Sequence, residues 1–357
     1  MSPDRALSEP DVVVQQTKRG VCVAMSMPFE NDPTPFSLAG IDAKSAVAVK
    51  ELHRRDPQWT WICALYPAVW GISVFMMERF PFWPIRVVGV VAIGISIQAM
   101  AILMHEALHR NLFRKPAWDL WAAFILLLPA FFSGTAYKVV HLNHHRHTRT
   151  ARDQDDISNH CHTMTQYHVA LYVRYLAGTF LYFFVVPIKA LSIAGLGDRR
   201  RIIGEYVAMV GIYAAVIAVS VAAGRTASLF WYWLLPVLIA IVLSNVRGNA
   251  EHVGTGIGAE ILISRTVTST RLVSFLMCNL NYHLEHHLFP GIPWYNLPKA
   301  HRLLQTAYAQ TGAHVERSYI RLTIRALSGA LDMVHRESVV ATRTSRPGSR
   351  LIGDGGP

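Results

Sequence analysis

Three short stretches carry most of the chemistry this chain can do. Residues 105–109 read HEALH, 141–145 read HLNHH and 283–287 read HLEHH. His105 and His109 stand at i and i+4. His141, His144 and His145 stand at i, i+3 and i+4, as do His283, His286 and His287. On a helix each set shares one face, so each can present imidazoles together to a metal ion. HEALH taken alone is H-E-x-x-H, in which two histidines bind zinc and the glutamate serves as general base. That use leaves six box histidines idle, and eight imidazoles exceed what one tetrahedral zinc can employ. Two metal ions fit the count, with iron, zinc and copper all suited to imidazole.

A metal-bound imidazole usually donates its other N–H to a carboxylate or a carbonyl. Glu106, Glu251, Glu285 and the run Asp153, Asp155, Asp156 lie close enough in sequence to accept it. For the aspartate run, a solvated loop is the competing expectation. His147 falls off the face of its cluster, which suits an outer or surface position. The four cysteines, Cys22, Cys63, Cys161 and Cys278, form no CxxC pair, so neither a disulfide framework nor a zinc ribbon is indicated.

The boxes sit among long apolar runs. Of the 357 residues, 52% are hydrophobic and only 16% are charged, with mean hydropathy +0.27. A soluble domain is nearer a quarter charged, so the composition predicts a membrane protein. Apolar runs fall near 60–77, 86–104, 118–136, 169–188, 206–223 and 229–246. Eighteen helical residues measure about 27 Å, close to the hydrocarbon thickness of a bilayer. The first two runs read as one hairpin and the last two as another. Run 118–136 holds Pro129 and Gly134, and run 169–188 holds Arg174 and Pro187. Both are weaker spans, suited to lying in the interface or dipping in and returning.

Lys+Arg exceed Asp+Glu to give a net charge of +11, and the excess surrounds the boxes. Arg110, Arg114, Lys115, Lys138, Arg146, Arg149, Arg152 and Arg199–Arg201 flank them, whereas the loops at 78–85 and 224–228 are poor in basic residues. By the positive-inside rule the boxes and both termini face the cytoplasm. Nucleic acid is not needed to explain the charge. Clusters at helix ends converge only from one side, which demands an even number of passes between them. Two hairpins meet that demand when runs 118–136 and 169–188 do not each cross once. The expected fold is an all-α integral-membrane helical bundle of two transmembrane hairpins, four spans in all, with interfacial helices and a histidine-rich cytoplasmic cap. The expected divisions are a polar N-terminal segment at 1–55, with no early apolar core of a signal peptide, and a membrane domain at 56–310. A cytoplasmic helix at 311–339 and a disordered tail at 340–357, rich in Gly, Ser, Arg and Pro, complete the chain.

HEALH, HLNHH and NYHLEHHLFPGIPWYNLP resemble the three histidine boxes of the membrane fatty acid desaturase and hydroxylase superfamily, in order and spacing across residues 60–310. The resemblance implies two non-haem irons, O2 as co-substrate, and electrons from an external ferredoxin- or cytochrome-type carrier. It implies a hydrophobic acyl or isoprenoid substrate in the lipid bilayer, with desaturation of a fatty acyl chain as the leading outcome. A ninth ligand is implied at His252, in RGNAEHVG. With the irons held by histidines alone, Glu106, Glu251, Glu285 and Asp155 become the carboxylates that support the catalytic site. The acyl-CoA branch places an asparagine one turn before the ninth histidine, but here that position is Gly248 and Asn249 is displaced by one. The first box also has three intervening residues, not the four usual in that branch. Both departures point to the acyl-lipid or bacterial side of the superfamily. The third box opens on His283, not on the glutamine of cytochrome-fused enzymes, and neither a cytochrome domain nor a flavin motif is visible. A lipid or carotenoid hydroxylase or ketolase of the same superfamily is the nearest alternative. A membrane metal transporter or bis-histidine haem protein is the alternative of another class.

Overall fold

The computed structural model describes residues 12–17, 20–25, 35–38, 43–153 and 155–329, so the tail expected at 340–357 lies outside the described residues. Three N-terminal strands, β1 (Val12–Thr17), β2 (Gly20–Met25) and β3 (Pro35–Leu38), pair antiparallel in sequence order. Helix α1 (Ala43–Glu51) follows them.

The first hairpin is α2 (Ile62–Arg79) and α3 (Trp83–Leu108). Between Val87 and Met104, α3 carries no charged residue, and it is buried almost continuously from Gly89 onward. A helix that is apolar all round belongs at the centre of a bundle, and α3 packs against three neighbours there. One of these, α4 (Pro116–Leu127), forms with α5 (Gly134–His147) a pair bent by 105°. The run expected to dip and return does turn sharply. Phe131 takes a left-handed backbone at the bend, and Ser133 caps α5 by accepting the Ala136 N–H.

Helix α6 (Met164–Ile193) is 30 residues long and starts with a complete capping box between Thr163 and Gln166. Helix α7 (Leu196–Ala222) follows at once. The short α8 (Thr226–Leu229) runs through a π-turn at Phe230–Leu234 into α9 (Leu235–His252). Leu176, Phe184 and Ile188 on α6 and Val207 and Val219 on α7 are exposed, as befits helices whose solvent is hydrocarbon. Among the described residues, five helices are long and apolar enough to cross a membrane, six if the bent pair counts as one span.

Side-chain ties order these helices. Glu78, at the end of α2, accepts from Arg225 and Tyr232 in the turn between α7 and α9, so both hairpin turns lie together. At the other end, Lys138 of α5 pairs with Asp198 at the start of α7 at 3.1 Å. Buried Glu205, further along α7, accepts from Ser133, the Thr135 N–H and the Thr135 hydroxyl. Tyr213, further still, donates to the Leu128 carbonyl. Helix α7 thus runs from the histidine side toward the hairpin turns. Helix α6 enters beside the cap, where Tyr167 and Leu171 pack with Ala250, Val253 and Leu322, and it leaves beside α5.

The cap contains β4 (Arg265–Val267), α10 (Arg271–Leu276), α11 (His283–Leu288), α12 (Leu297–Thr311), β5 (His314–Glu316) and α13 (Tyr319–Leu327). Strands β4 and β5 pair in parallel. Buried Arg265 donates to the Ala250 and Val253 carbonyls, two acceptors that the end of α9 would otherwise leave open. Instead of one helix over 311–339, the chain turns at left-handed Gly312, adds a strand and then forms the nine-residue α13. Residues beyond 329 lie outside the described residues. Helix α1 packs on α12, so part of the polar N-terminal segment belongs to the cap core.

Candidate metal centre

Each histidine set arrives on a helix end. His105 and His109 close α3, the second set occupies the last turns of α5, and His252 is the final residue of α9. The third set forms α11, a six-residue helix too short to stand alone. The cap holds α11 in place. Tyr282 bridges to Thr266 of β4, and Glu285 accepts from the Thr266 hydroxyl and from His301 Nδ1 at 2.6 Å.

These ends bring nine histidines into two clusters. His105, His109, His141, His145 and His286 place one nitrogen each within 4.8 Å of one another, as do His144, His252 and His287 separately. His283 joins the second cluster, with Nε2 at 3.3 Å from His252 Nε2 and 3.1 Å from His287 Nε2. Other close pairs are His109 to His141 at 2.9 Å, His286 to His145 at 3.2 Å and His144 to His252 at 3.2 Å. Ligands at about 2.1 Å from one ion stand roughly 3.0–3.4 Å apart in octahedral or tetrahedral geometry. The facing nitrogens have the spacing of a shared cation. His105 is 3% exposed and neither of its ring nitrogens has a hydrogen-bond partner among the described residues, which a metal ion would resolve. Burial holds His109 down to about 3, and burial with neighbouring imidazoles holds His283, His286 and His287 well below the ordinary histidine value. The neutral ring is the form that binds a metal.

The surrounding acids divide by what they touch. Asp153 is the aspartate that reaches a box histidine, at 2.9 and 3.1 Å from His144 Nδ1, and it also accepts the Arg149 and Asp155 N–H groups. Asp155 instead accepts from Tyr182, while its own carbonyl accepts from Arg174. Burial pushes the Asp155 carboxyl up, but Arg174, His144 and Tyr182 outweigh it, and the net shift is downward. Glu251 pairs with Arg247 and lies 3.4 Å from His283 Nδ1. Glu106 is fully buried and accepts the Trp294 N–H at 3.0 Å and the Asn111 amide at 3.3 Å, with its other oxygen 3.9 Å from His105 Nδ1. It ties the third box's trailing loop to the first box's helix. Glu285 turns from the clusters to Thr266 and His301. His252 Nδ1 is oriented by the Ile263 carbonyl at 3.0 Å. Asn249 donates one turn back to the Asn245 carbonyl. His147 belongs to neither cluster.

Sequence patterns did not reveal the Ile263 carbonyl or the Tyr137 ring, which stacks on His141 at 5.3 Å. A carbonyl has no sequence signature, whereas Tyr137 stands four residues before His141, a spacing that could have shown it. The centre borders a cavity of about 160 Å³, lined beside the metal site by His105, His141, His144, His252 and His283. Away from it the walls include the apolar Ile97, Leu127, Phe132, Phe183, Val237 and Ile241 as well as polar side chains such as Gln98, Thr179 and Asn245. A largely apolar cavity that ends on two histidine clusters can hold a hydrocarbon segment beside them.

Comparison with known proteins gives the same direction. The family model described as fatty acid desaturase matches residues 81–319. The chain is 26% identical to dihydrorhizobitoxine desaturase of Bradyrhizobium elkanii, over 65% of this chain and 71% of that protein. It is 23% identical to a sphingolipid delta(4)-desaturase of Drosophila melanogaster, over 74% of this chain and 80% of the relative. It is 21% identical to the sn-1 oleoyl-lipid 12-desaturase of Arthrospira platensis, over 63% and 76%.

Proposed function

We propose a function from one premise: this chain belongs to the fatty acid desaturase family. It is an oxidoreductase of the desaturase type, and its reaction introduces a double bond into a lipid chain. The relatives act on a sphingolipid and on an oleoyl lipid, which supports an acyl-bearing substrate taken from the bilayer.

The site residues fit two irons. His105, His109, His141, His145 and His286 would hold one, and His144, His252, His283 and His287 the other. With O2 and two electrons from an external ferredoxin- or cytochrome-type carrier, such a pair supplies an oxidant able to take hydrogen from an unactivated methylene. The chain's own work is geometric. Asp153 and the Ile263 carbonyl aim His144 and His252, and Glu251 lies 3.4 Å from His283 Nδ1. Glu106 and Asp155 act further out, Glu106 by locking the Trp294 loop and Asp155 by holding Tyr182. Glu285 braces α11 through Thr266. The apolar walls position one stretch of chain and keep water from it.

We read four crossings, by α2, α3, α7 and the α8–α9 helix. Helix α6 and the α4–α5 pair then start and finish on the histidine side. The basic residues around the boxes favour the cytoplasm for that side and offer a docking face for an acidic electron carrier. The observation that carries the reading is the convergence of nine histidines from four separate segments into two clusters at the mouth of an apolar cavity. The test is lipid profiling of a heterologous host with and without the chain, alongside iron analysis of the purified protein. New unsaturated lipids with about two irons per chain are expected. One stoichiometric zinc and an unchanged lipid profile would return HEALH to hydrolytic chemistry.

A further inference from the structure

Gln98 is a polar side chain set among the apolar residues Ile97, Ala101 and Ile102 of the cavity lining. It lies midway along α3, 4% exposed, and it lines the cavity beside the metal centre. Its amide nitrogen has no hydrogen-bond partner among the described residues. Nearer the histidines on the same lining, Asn249 Oδ1 and Arg247 Nε also have no hydrogen-bond partner among the described residues, but Ser96 and Asn245, at the depth of Gln98, are satisfied within the bundle. Ser96 donates to the Ala92 carbonyl, and Asn245 accepts from the Thr179 N–H and hydroxyl while donating to the Tyr175 carbonyl. Inside a membrane no bulk water meets the orphaned amide, and burying it unpaired is costly.

Its position is equally specific. Gln98 precedes His105 by seven residues on one helix, which places it about 10 Å along the axis and within about 20° of the same face. Any chain lying in the cavity with its reacting carbons at the metals passes Gln98 two turns deeper. A saturated tail would leave the amide orphaned. An oxygen on the tail at that depth would pair with it.

We propose that Gln98 reads a polar oxygen on the substrate chain, so that the preferred substrate is an oxygenated lipid chain whose hydroxyl or carbonyl lies about 10 Å from the metal centre. The inference rests on the desaturase reading for the identity of the cavity's occupant as a lipid chain.

The test uses the full chain in phosphatidylcholine nanodiscs. Equilibrium binding is measured for stearate and a panel of positional monohydroxystearates, with wild type, Gln98→Met and Ser96→Ala. Methionine keeps the unbranched shape and suits a helix while removing the hydrogen bond. In wild type at least one hydroxy isomer should bind about tenfold more tightly than stearate, the worth of one hydrogen bond. Gln98→Met should bind that isomer and stearate alike, with stearate affinity unchanged, and Ser96→Ala should keep the preference. The proposal is overturned if no isomer outbinds stearate in wild type, which tests it even should Gln98→Met fail to fold. It is also overturned if the preference survives in Gln98→Met. Turnover is not needed for this comparison. An iron-loaded wild type that forms no unsaturated lipid would sink the desaturase reading and leave the binding result to stand by itself.

Discussion

Glu106 and its flanking histidines have opposite tolerance to change. His105 and His109 offer nitrogens to one cluster, whereas Glu106 holds a loop through the Trp294 N–H and the Asn111 amide. Loss of an outer contact costs roughly 10–100-fold, while loss of a ligand abolishes the site. Glu106→Gln should therefore keep measurable desaturation with full iron, and His105→Ala and His109→Ala should lose both. An inactive Glu106→Gln with iron retained would give Glu106 a direct part in the chemistry. His252 and His147 make a second contrast. His252 faces His144 and His283 at 3.2 and 3.3 Å, while His147 joins no cluster. His252→Gln should lose iron and product together, and His147→Gln should keep both, by metal analysis and lipid profiling of the two side by side. Box spacing alone made eight of these histidines legible, because i, i+3, i+4 names a helical face. His252 needed the family resemblance, since a lone histidine has no spacing. Among the aspartates, sequence could not separate Asp153 from Asp155, because the loop's fold decides which carboxylate meets His144.

Helices set how closely these residues meet, and α3 against α9 is the tightest case. A Cβ added at Gly94 would lie 2.7 Å from Ile239 and 3.0 Å from the Pro236 carbonyl. Gly94→Val must push α9 outward, and with it His252. Overpacking of this kind costs about 1–3 kcal/mol. The variant should unfold at lower temperature and bind iron more weakly, as read by thermal unfolding and chelator competition; unchanged values would mean that the interface yields without strain. Apolar runs revealed every long helix of the bundle. They did not reveal direction. Helix α6 has the length and apolarity of a span, and it is its neighbours, the cap at Tyr167 and Lys138 beside Asp198 just after its end, that support reading both of its ends on the histidine side. Hydropathy averages over a window and does not encode such contacts. The same is true of the cap's parallel strand pair, three residues in each strand.

Burial keeps most of the clustered imidazoles neutral, while Asp153 shifts His144 the other way, and the buried majority gives the molecule a pH limit. Burial lowers His109 to about 3 and holds His283, His286 and His287 below 6.5. Unfolded, the same rings take protons near pH 6.5. Above that value the two states bind protons alike and stability is undiminished. As pH falls from about 6.5 toward the folded-state values, the unfolded chain gains protons that the folded chain refuses, and stability and bound metal decline. Thermal midpoint and retained iron followed across that interval should fall together, and flat curves down to about pH 4 would contradict the neutral-ligand picture. The division of the nine histidines along the chain has a consequence for biogenesis. Four contributors to the five-histidine cluster, His105, His109, His141 and His145, have left the ribosome before α6 is made, and His286 arrives last. The other cluster has His144 alone at that stage and waits for His252, His283 and His287. Were each cluster to take an ion during synthesis, the five-histidine site would have four of its ligands first, and both sites would be completed only as α11 docks.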